Sequence, residues 1–365
     1  ASTAPTSSGV LAVSTASASN NHMSYKVSVI VPVHNVAPYI ERCSRSLFGQ
    51  TLEEIQYIFV DDHSEDESVA VLERVLDDYP QRRQHTVILQ LREGKGTPAA
   101  RKAGQDHAEG EFFSHCDSDD YVEPGMYESL YNAACREGAD SAMCDFWQDN
   151  GHFRRLRKHE DPVPDNLDGF LSGKAWPYIW CRIVRADICR RMEFSTAIYL
   201  EDWYMSVQMS YYSRSAAVVH EPMYHYCFNP HSVTHTIEHA DLQKKLDECL
   251  FNYQLVHDFI MRHHPVDEDA FLVKKLSVKE KCLPFWVGTG DRRWRKAYLD
   301  TFPEVNHKLL FSSRVPRERK TEYLAVVMGC YPLMNRLRNV YREILGRTVL
   351  EGMEERSGDM CKRTK

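Results

Sequence analysis

No 18 consecutive apolar residues occur anywhere in the 365-residue chain, so no segment is long and apolar enough to cross a bilayer as a helix. No C-x-x-C pair occurs among the 11 cysteines, which excludes a zinc ribbon and a thioredoxin-like dithiol. An odd, irregularly spaced set of thiols suits a reducing, cytoplasmic setting, with most of them acting as small buried apolar groups. Basic charge is not in excess: 45 Lys and Arg against 52 Asp and Glu leave a net charge of −7. That balance argues against a nucleic-acid binder, which needs a concentrated basic surface. The first 22 residues hold no Lys or Arg and only a short apolar run, so a secretory signal does not fit. They read as a disordered leader, with the folded chain starting at Met23.

Phosphate-binding glycine loops are missing as well. Neither G-x-G-x-x-G nor G-x-x-x-x-G-K-[ST] follows any strand pattern, and the stretch Gly94 to Thr97 lacks the first glycine such a loop requires. A diphosphate bound here needs another source of positive charge. A divalent cation held by carboxylates is the obvious one.

What is present is an alternation of short apolar strands and amphipathic helices. Lys26 to Val33 is β-branched and closes on Pro32 and His34-Asn35, the pattern of a buried strand and its turn. Strands are predicted at 56–60, 86–91 and 111–115, and helices at 37–49, 68–78 and 99–108. This order predicts right-handed crossovers in an α/β, Rossmann-like, mostly parallel sheet flanked by helices. Ligands of such sheets bind beyond the carboxyl ends of the strands. Two of those ends finish in acidic residues, Asp61-Asp62 and Asp117 to Asp120.

Asp117, Ser118 and Asp119 form a D-x-D at a strand end, and two carboxylates about a small residue can grip Mg²⁺ or Mn²⁺ while leaving positions open for phosphate. Many D-x-D triplets are only solvated loops, so the context has to decide. Further on, Glu201-Asp202 opens a predicted helix, where acidic side chains are also simply favourable partners of the helix dipole. Trp176, Trp180 and Trp203 flank that region and fit either a sugar-stacking platform or the core. His231 and His235 have helical metal-ligand spacing, but Pro230 and Thr236 make the segment a loop and no third ligand is suggested.

The runs VSVIVPVHN, FVDDHSEDES, AARKAG and FFSHCDSDDYVEP, in this order and spacing, resemble the nucleotide-binding half of family 2 glycosyltransferases, which have the GT-A fold. The resemblance covers about residues 25–236. It implies that Pro32 and Val33 line a nucleoside pocket and that Asp61 accepts a hydrogen bond from the base. It further implies that Arg101 lies near the diphosphate or sugar, with Lys102 standing where the family has Asn. Asp117, with Ser118 beside it, and Asp119 would serve the donor and the metal, Asp119 being the direct ligand. Glu201 and Asp202 fall at the family's catalytic acidic pair, which makes Asp202 the general base. Trp180 to Arg185 is similar to the stretch before that pair, with Cys181 and Arg182 replacing Asn and Lys, so Trp180, Arg182 and Trp203 are the acceptor-side residues. The segment from His225, including His231 and His235, resembles the loop that closes over the diphosphate. The implied activity is inverting transfer of a sugar, UDP-linked in many relatives, onto an acceptor hydroxyl in bacterial surface glycan assembly. The processive members' Gln-x-x-Arg-Trp motif and membrane spans are absent after the base, which points to single-sugar transfer.

Past residue 237 the pattern is helical, with one long stripe through Leu242, Leu246, Cys249, Leu250, Tyr253 and Val256 and further segments at 274–281, 294–299 and 323–345. In the last, Leu333, Leu337, Val340, Tyr341 and Ile344 share a face, flanked by Arg336, Arg338, Arg342 and Arg347. Such a helix can lie on an anionic membrane surface next to a lipid-linked acceptor, pack on the domain, or form a homodimer. The expected layout is a leader at 1–22, a GT-A catalytic domain at 23–236 (nucleotide half about 25–125, acceptor half about 126–236), a helical region at 237–347 and a flexible tail at 348–365. Two other readings stay open: a nucleotidyltransferase, which carries a glycine-rich basic loop where this chain has PVHNVAPY, and a non-catalytic binding protein on the same fold.

Overall fold

The computed structural model describes residues 10–14, 24–149, 154–159, 167–174, 178–233 and 242–341. It divides into two compact units, residues up to 236 with Asp247–Val266, and residues 237–246 with those from Asp267 onward.

The first unit is built on β1 (Val10–Ser14), β2 (Val27–Val33), α1 (Ala37–Phe48), β3 (Ile55–Asp61), α2 (Ser68–Asp77), α3 (Pro80–Arg83), β4 (Thr86–Leu91), α4 (Thr97–Asp106), β5 (Phe112–His115), β6 (Tyr121–Val122) and α5 (Met126–Glu137). It continues through β7 (Ser141–Asp149), β8 (Arg154–Arg157), α6 (Leu167–Ser172), β9 (Arg182–Arg185), α7 (Ala186–Cys189), α8 (Asp202–Tyr212) and β10 (Ala216–Tyr226). The described strands form one ten-stranded sheet in the order β1-β4-β3-β2-β5-β9-β7-β10-β6, with β8 paired to β7. The longest ladders, β2–β3 and β7–β10, are parallel.

β3 is buried along its whole length, as a central parallel strand covered on both faces must be. One face carries α1 through Ile40, Cys43, Leu47 and Phe48. The opposite face packs against α4 through Ile30, Val60, Ala100 and Ala103. Gly104 makes that second contact possible: a Cβ there would stand 2.5 Å from Ile30 Cγ2. Register brings the strand ends level, Val33 opposite Asp61 and Ile30 opposite His115, so the acidic residues that follow β3 and β5 emerge along one edge.

Two observations differ from the sequence reading. Residues 10–14, inside the stretch read as a leader, pair antiparallel with β4, Val10 opposite Leu91. Without them β4 would present an open row of N–H and C=O groups, which an added strand satisfies. The acceptor half also adds antiparallel β9 between β5 and β7.

The described part of the second unit is helical. After α9 (Leu242–His263), which begins in it, come α10 (Leu272–Lys279), α11 (Cys282–Thr289), α12 (Arg293–Asp300), α13 (Asn306–Leu309) and α14 (Arg317–Met328), followed by a helix at 331–341. Phe271, Leu276, Trp286, Trp294, Tyr298 and Val326 are buried in it. The single segment expected at 323–345 is two helices. Gly329, at φ +77°, closes α14 in the left-handed conformation, and Pro332 sits in the first turn of the next helix. Ile344, Arg342 and Arg347 lie outside the described residues. Among the described residues no helix is long and apolar enough to cross a membrane, and the ten described cysteines are all free thiols.

Candidate active site

The edge formed by the ends of β2, β3 and β5 is held by a set of buried carboxylates. Asp61 closes β3 and is buried; its Oδ1 accepts the Ser64 backbone N–H at 3.0 Å and its Oδ2 accepts from Gln90 Nε2 at 3.2 Å. Each oxygen keeps a second lone pair, and register sets Asp61 beside Val33 at the end of β2, the neighbour expected for a nucleoside-binding carboxylate. Asp62 does something the sequence did not signal. Its two oxygens accept the backbone N–H groups of Lys95 and Gly96 at 2.8 and 2.7 Å. Gly96, at φ +81°, is the residue that caps α4, so Asp62 fixes where the Arg101 helix begins.

The D-x-D lies on the turn after β5. Asp119 Oδ2 accepts from Asn229 Nδ2 at 2.9 Å, and Asn229 Oδ1 in turn accepts the backbone N–H of exposed His231. Asp120, one residue beyond the triplet, is fully enclosed: Tyr224 Oη donates to it at 2.7 Å and the Cys227 N–H at 2.7 Å. Thus two adjacent carboxylates anchor the segment that carries His231. Burial, reinforced by the neighbouring Asp117 charge, raises the Asp119 carboxyl above the usual range. Asp120 is held well above it by burial and by Asp119 and Asp117. The charge of Arg42 on α1 offsets part of the rise at Asp119, and its Nη2 donates to the Asp119 backbone carbonyl at 3.0 Å. Ser118 is buried between the two aspartates.

Arg101 joins the two acidic motifs. From α4 its Nη2 donates to Asp117 Oδ1 at 2.7 Å and its Nε to Glu201 Oε1 at 2.9 Å. Only 5% of the guanidinium side chain and 7% of the Glu201 side chain are exposed, against 27% of Asp117. Burial raises the Glu201 carboxyl, with the Asp117 charge adding to the rise and Arg101 opposing it. Arg101 Nη1 and Glu201 Oε2 are buried with no hydrogen-bond partner among the described residues. Arg101, expected near the diphosphate or sugar, stands as a strut between Asp117 and Glu201.

Glu201 occupies the cap position of α8 and Asp202 its first turn. Leu200 just before them has φ +64°, a left-handed backbone that a leucine adopts at a cost of about 1–3 kcal/mol and that recurs at functional sites. The surrounding contacts that enforce it include α9. Glu248 Oε2 accepts the Tyr199 N–H at 2.9 Å, and the buried Asn252 donates Nδ2 to the Tyr199 carbonyl at 2.9 Å while taking Ser195 Oγ on its Oδ1. The apolar stripe of α9 concealed these two polar positions in the sequence. Their signal is an Asn and a Glu flanking buried Cys249 within one turn. Asp202 stands half-buried and near Tyr178, whose hydroxyl burial and the Asp202 charge push up to about 12.

Two of the three tryptophans read as a sugar platform or core, Trp180 and Trp203, are packing elements. Trp180 is 4% exposed and stacked with Tyr224 at 4.3 Å and Tyr178 at 4.8 Å, while Phe146 meets it edge-on. Trp203 is 6% and Arg182 2% exposed. A sugar-stacking ring needs an open face, and burial at these positions removes it. Trp176 and His235 lie outside the described residues.

Asp117 Oδ2 and Asp119 Oδ1 take no protein hydrogen bond among the described residues. Two hard carboxylate oxygens in a mutually repelling cluster fit Mg²⁺ or Mn²⁺, ions that complete their shell with phosphate and water. Among the described residues no group of three or more His, Cys, Asp or Glu is assembled for a metal, so the protein offers only part of such a shell.

With this geometry in view the chain can be placed among known proteins. The Glycosyl transferase family 2 profile matches residues 28–195, which span β2 to the segment before α8, and this part of the chain belongs to that family. It is 28% identical over 286 residues to the putative glycosyltransferase EpsH of Bacillus subtilis, covering 73% of this chain and 79% of that one. It is 27% identical over 222 residues to the uncharacterized glycosyltransferase YibD of Escherichia coli, covering 57% and 63%, and 26% identical over 318 residues to glycosyltransferase GlyA of Streptococcus pneumoniae, covering 83% of this chain but 44% of GlyA. Among solved structures, residues 1–349 of Staphylococcus aureus TarS share the fold with a TM-score of 0.50 at 18% identity, covering 87% of this chain and 91% of that one. The mostly parallel α/β sheet read from the strand pattern, and the GT-A architecture implied by the resemblance, are the ones observed.

Proposed function

We propose that this chain is an inverting glycosyltransferase that moves one sugar from a nucleoside diphosphate, UDP in the first instance, onto an acceptor hydroxyl in bacterial surface glycan assembly. The observation that carries the reading is the Arg101 bridge, which ties the D-x-D at Asp117 to the acidic pair at Glu201-Asp202 in one site. The family's shared naming as glycosyltransferases supports it, and so does the crystallisation of TarS, a protein of the same fold, with UDP-GlcNAc.

Pro32, Val33 and Asp61 hold the nucleoside, and Asp119 with Asp117 would hold a divalent cation. When bound, that cation offsets charge building up on the leaving group. His231, on the segment anchored by Asn229, and His235 contribute ring N–H donors to the diphosphate. Asp202 takes the acceptor hydroxyl proton as that oxygen attacks the anomeric carbon from the face opposite the departing diphosphate, which inverts the configuration. One base and one step suffice, so the protein needs no covalent nucleophile. Glu201, locked to Arg101, orients this end of α8.

The outward face of the second unit supports peripheral contact with an anionic membrane at its cytoplasmic side, where a lipid-linked acceptor would be found. Leu324, Val327 and Met328 of α14 and Leu333, Leu337, Val340 and Tyr341 of the next helix are exposed, Met328 at 71% and Leu337 at 63%. Release of UDP from a panel of UDP-sugars, with and without Mn²⁺, tests the catalytic reading. Metal-dependent release that Asp202→Asn abolishes supports it. Pyrophosphate release instead would indicate a nucleotidyltransferase, and tight UDP binding with no release a non-catalytic binder.

A further inference from the structure

The turn that delivers Asp202 is closed by the Glu201 N–H on the Ile198 carbonyl at 3.4 Å, with Leu200 at φ +64° as its third residue. A leucine stays in that conformation only where its surroundings over-determine it. Tyr199 is fastened to α9, and Glu201 to Arg101. Ile198 is fastened differently. Its side chain lies against the bare backbone of Gly96, where an added Cβ would stand 2.5 Å from both Ile198 Cγ1 and Cδ1. Gly96 has φ +81° and ψ 170°, a region essentially closed to residues with a side chain. Space and backbone angle therefore both demand glycine here. Gly96 is itself held, its N–H on Asp62 Oδ2 at 2.7 Å and its carbonyl on the Ala99 and Ala100 N–H groups that open α4. Contact thus runs unbroken from the end of β3, where Asp62 follows Asp61, through Gly96 to Ile198 and the turn before Asp202. Ile198 is only half-buried, and among the described residues it belongs to neither apolar cluster that covers the sheet.

Resting on the base assigned above, we propose that Ile198 and Gly96 are positioning residues for Asp202. The side-chain-free backbone of Gly96 is the seat on which Ile198 sets the turn. The nucleoside carboxylate Asp61 and the base are then placed from one point, the end of β3. A general base works only within hydrogen-bond reach of its proton, about 2.6–3.2 Å, so a turn free to shift loses rate without losing nucleotide affinity. An apolar contact that served stability alone would lower the unfolding midpoint and leave the rate of the folded enzyme as it was.

The test uses the full chain, Mn²⁺ and whichever UDP-sugar of the panel releases UDP fastest, with backbone hydrogen exchange across residues 198–205 read on the same preparations. Ile198→Ala should lower kcat at least tenfold with KM for the donor within threefold, and should speed that exchange at least tenfold. Ile198→Val, which keeps Cγ1, should retain at least a third of kcat. Gly96→Ala should lose at least a hundredfold. Ile198→Ala, harmful in the wild-type chain, should recover at least threefold of that loss in the Gly96→Ala chain, because it removes the two atoms that the new Cβ would meet. Leu72→Ala, an equal truncation of a buried residue on α2, should lower the urea midpoint with kcat within twofold. If wild type releases UDP from no UDP-sugar, the activity proposed above fails and the exchange ranking alone decides the contact. Unchanged exchange across 198–205 in Ile198→Ala, or a kcat loss matched by Leu72→Ala, overturns the proposal.

Discussion

The two units put their unusual residues on opposite sides of the surface. In the first, charge goes inward: Asp61, Asp62, Arg101, Asp120 and Glu201 are all buried and all have partners. In the second, apolar side chains go outward, along α14 and the helix after it. Both arrangements oppose the ordinary partition of polar and apolar groups, and each is tolerable only when something answers it. The buried acids are answered from within, by backbone N–H groups, Tyr224 and Arg101. The exposed leucines have no such answer among the described residues of their own unit, which directs attention outside the molecule.

The largest effect that sharpens the contrast is at the base. Asp202→Asn keeps the shape of the α8 start but cannot accept the proton, so transfer should fall by about 10²–10⁴-fold while UDP affinity holds within a few fold. Steady-state rates beside calorimetry would reveal it, and normal turnover would remove Asp202 from its role. Next comes the strut. Arg101→Met leaves Glu201 buried without its cation, and the loss should be about 3–5 kcal/mol in urea unfolding. An unchanged midpoint would mean that the buried acids of the first unit do not depend on internal pairing.

Lys279 is the second unit's own buried charge and gives a pH test. It donates to the Thr301 carbonyl and lies 5.0 Å from the Tyr298 ring centroid, and burial lowers it to about 8 from 10.5. Between those values the unfolded chain binds the proton and the folded one does not, so stability gains with rising pH. Relative to Lys279→Met, wild type should gain up to about 3 kcal/mol from pH 8 to 10.5, read from denaturant unfolding at each pH. A flat difference would deny the burial of this charge. The smallest effect on stability belongs to the surface. Leu333→Glu with Leu337→Glu should alter unfolding by no more than about 0.5 kcal/mol yet abolish co-sedimentation with phosphatidylglycerol vesicles. Equal sedimentation of the variant, or none by wild type, would break the comparison.

The central strands were legible because a strand covered on both faces must be a run of β-branched and aromatic residues, and VSVIVPV and QYIFV are such runs. The strand-end acids were legible for the same reason, since polarity stops where the sheet does. Arg101 was visible only as one cation in a helix; its partner Glu201, at the start of α8, lies 100 positions away, a long-range fact with no local pattern. Asn252 and Glu248 were masked by the stripe around them, and burial of Trp180 follows from Tyr178 and Tyr224, which only β9 and β10 bring beside it. At 323–345 the apolar spacing ran unbroken through Gly329 and Pro332, and the periodicity outweighed the two residues that break the helix.

A single guanidinium shared by two carboxylates makes their environments interdependent. Whatever neutralises Asp117 leaves Arg101 to Glu201 more fully, and whatever draws on Glu201 is felt at Asp117. Linkage of this kind is reciprocal by necessity: if occupancy on the donor side changes affinity on the acceptor side, the acceptor returns the change by the same factor. With donor and acceptor bound at the two acids as proposed, their affinities would be coupled through one buried arginine, 5% exposed between them.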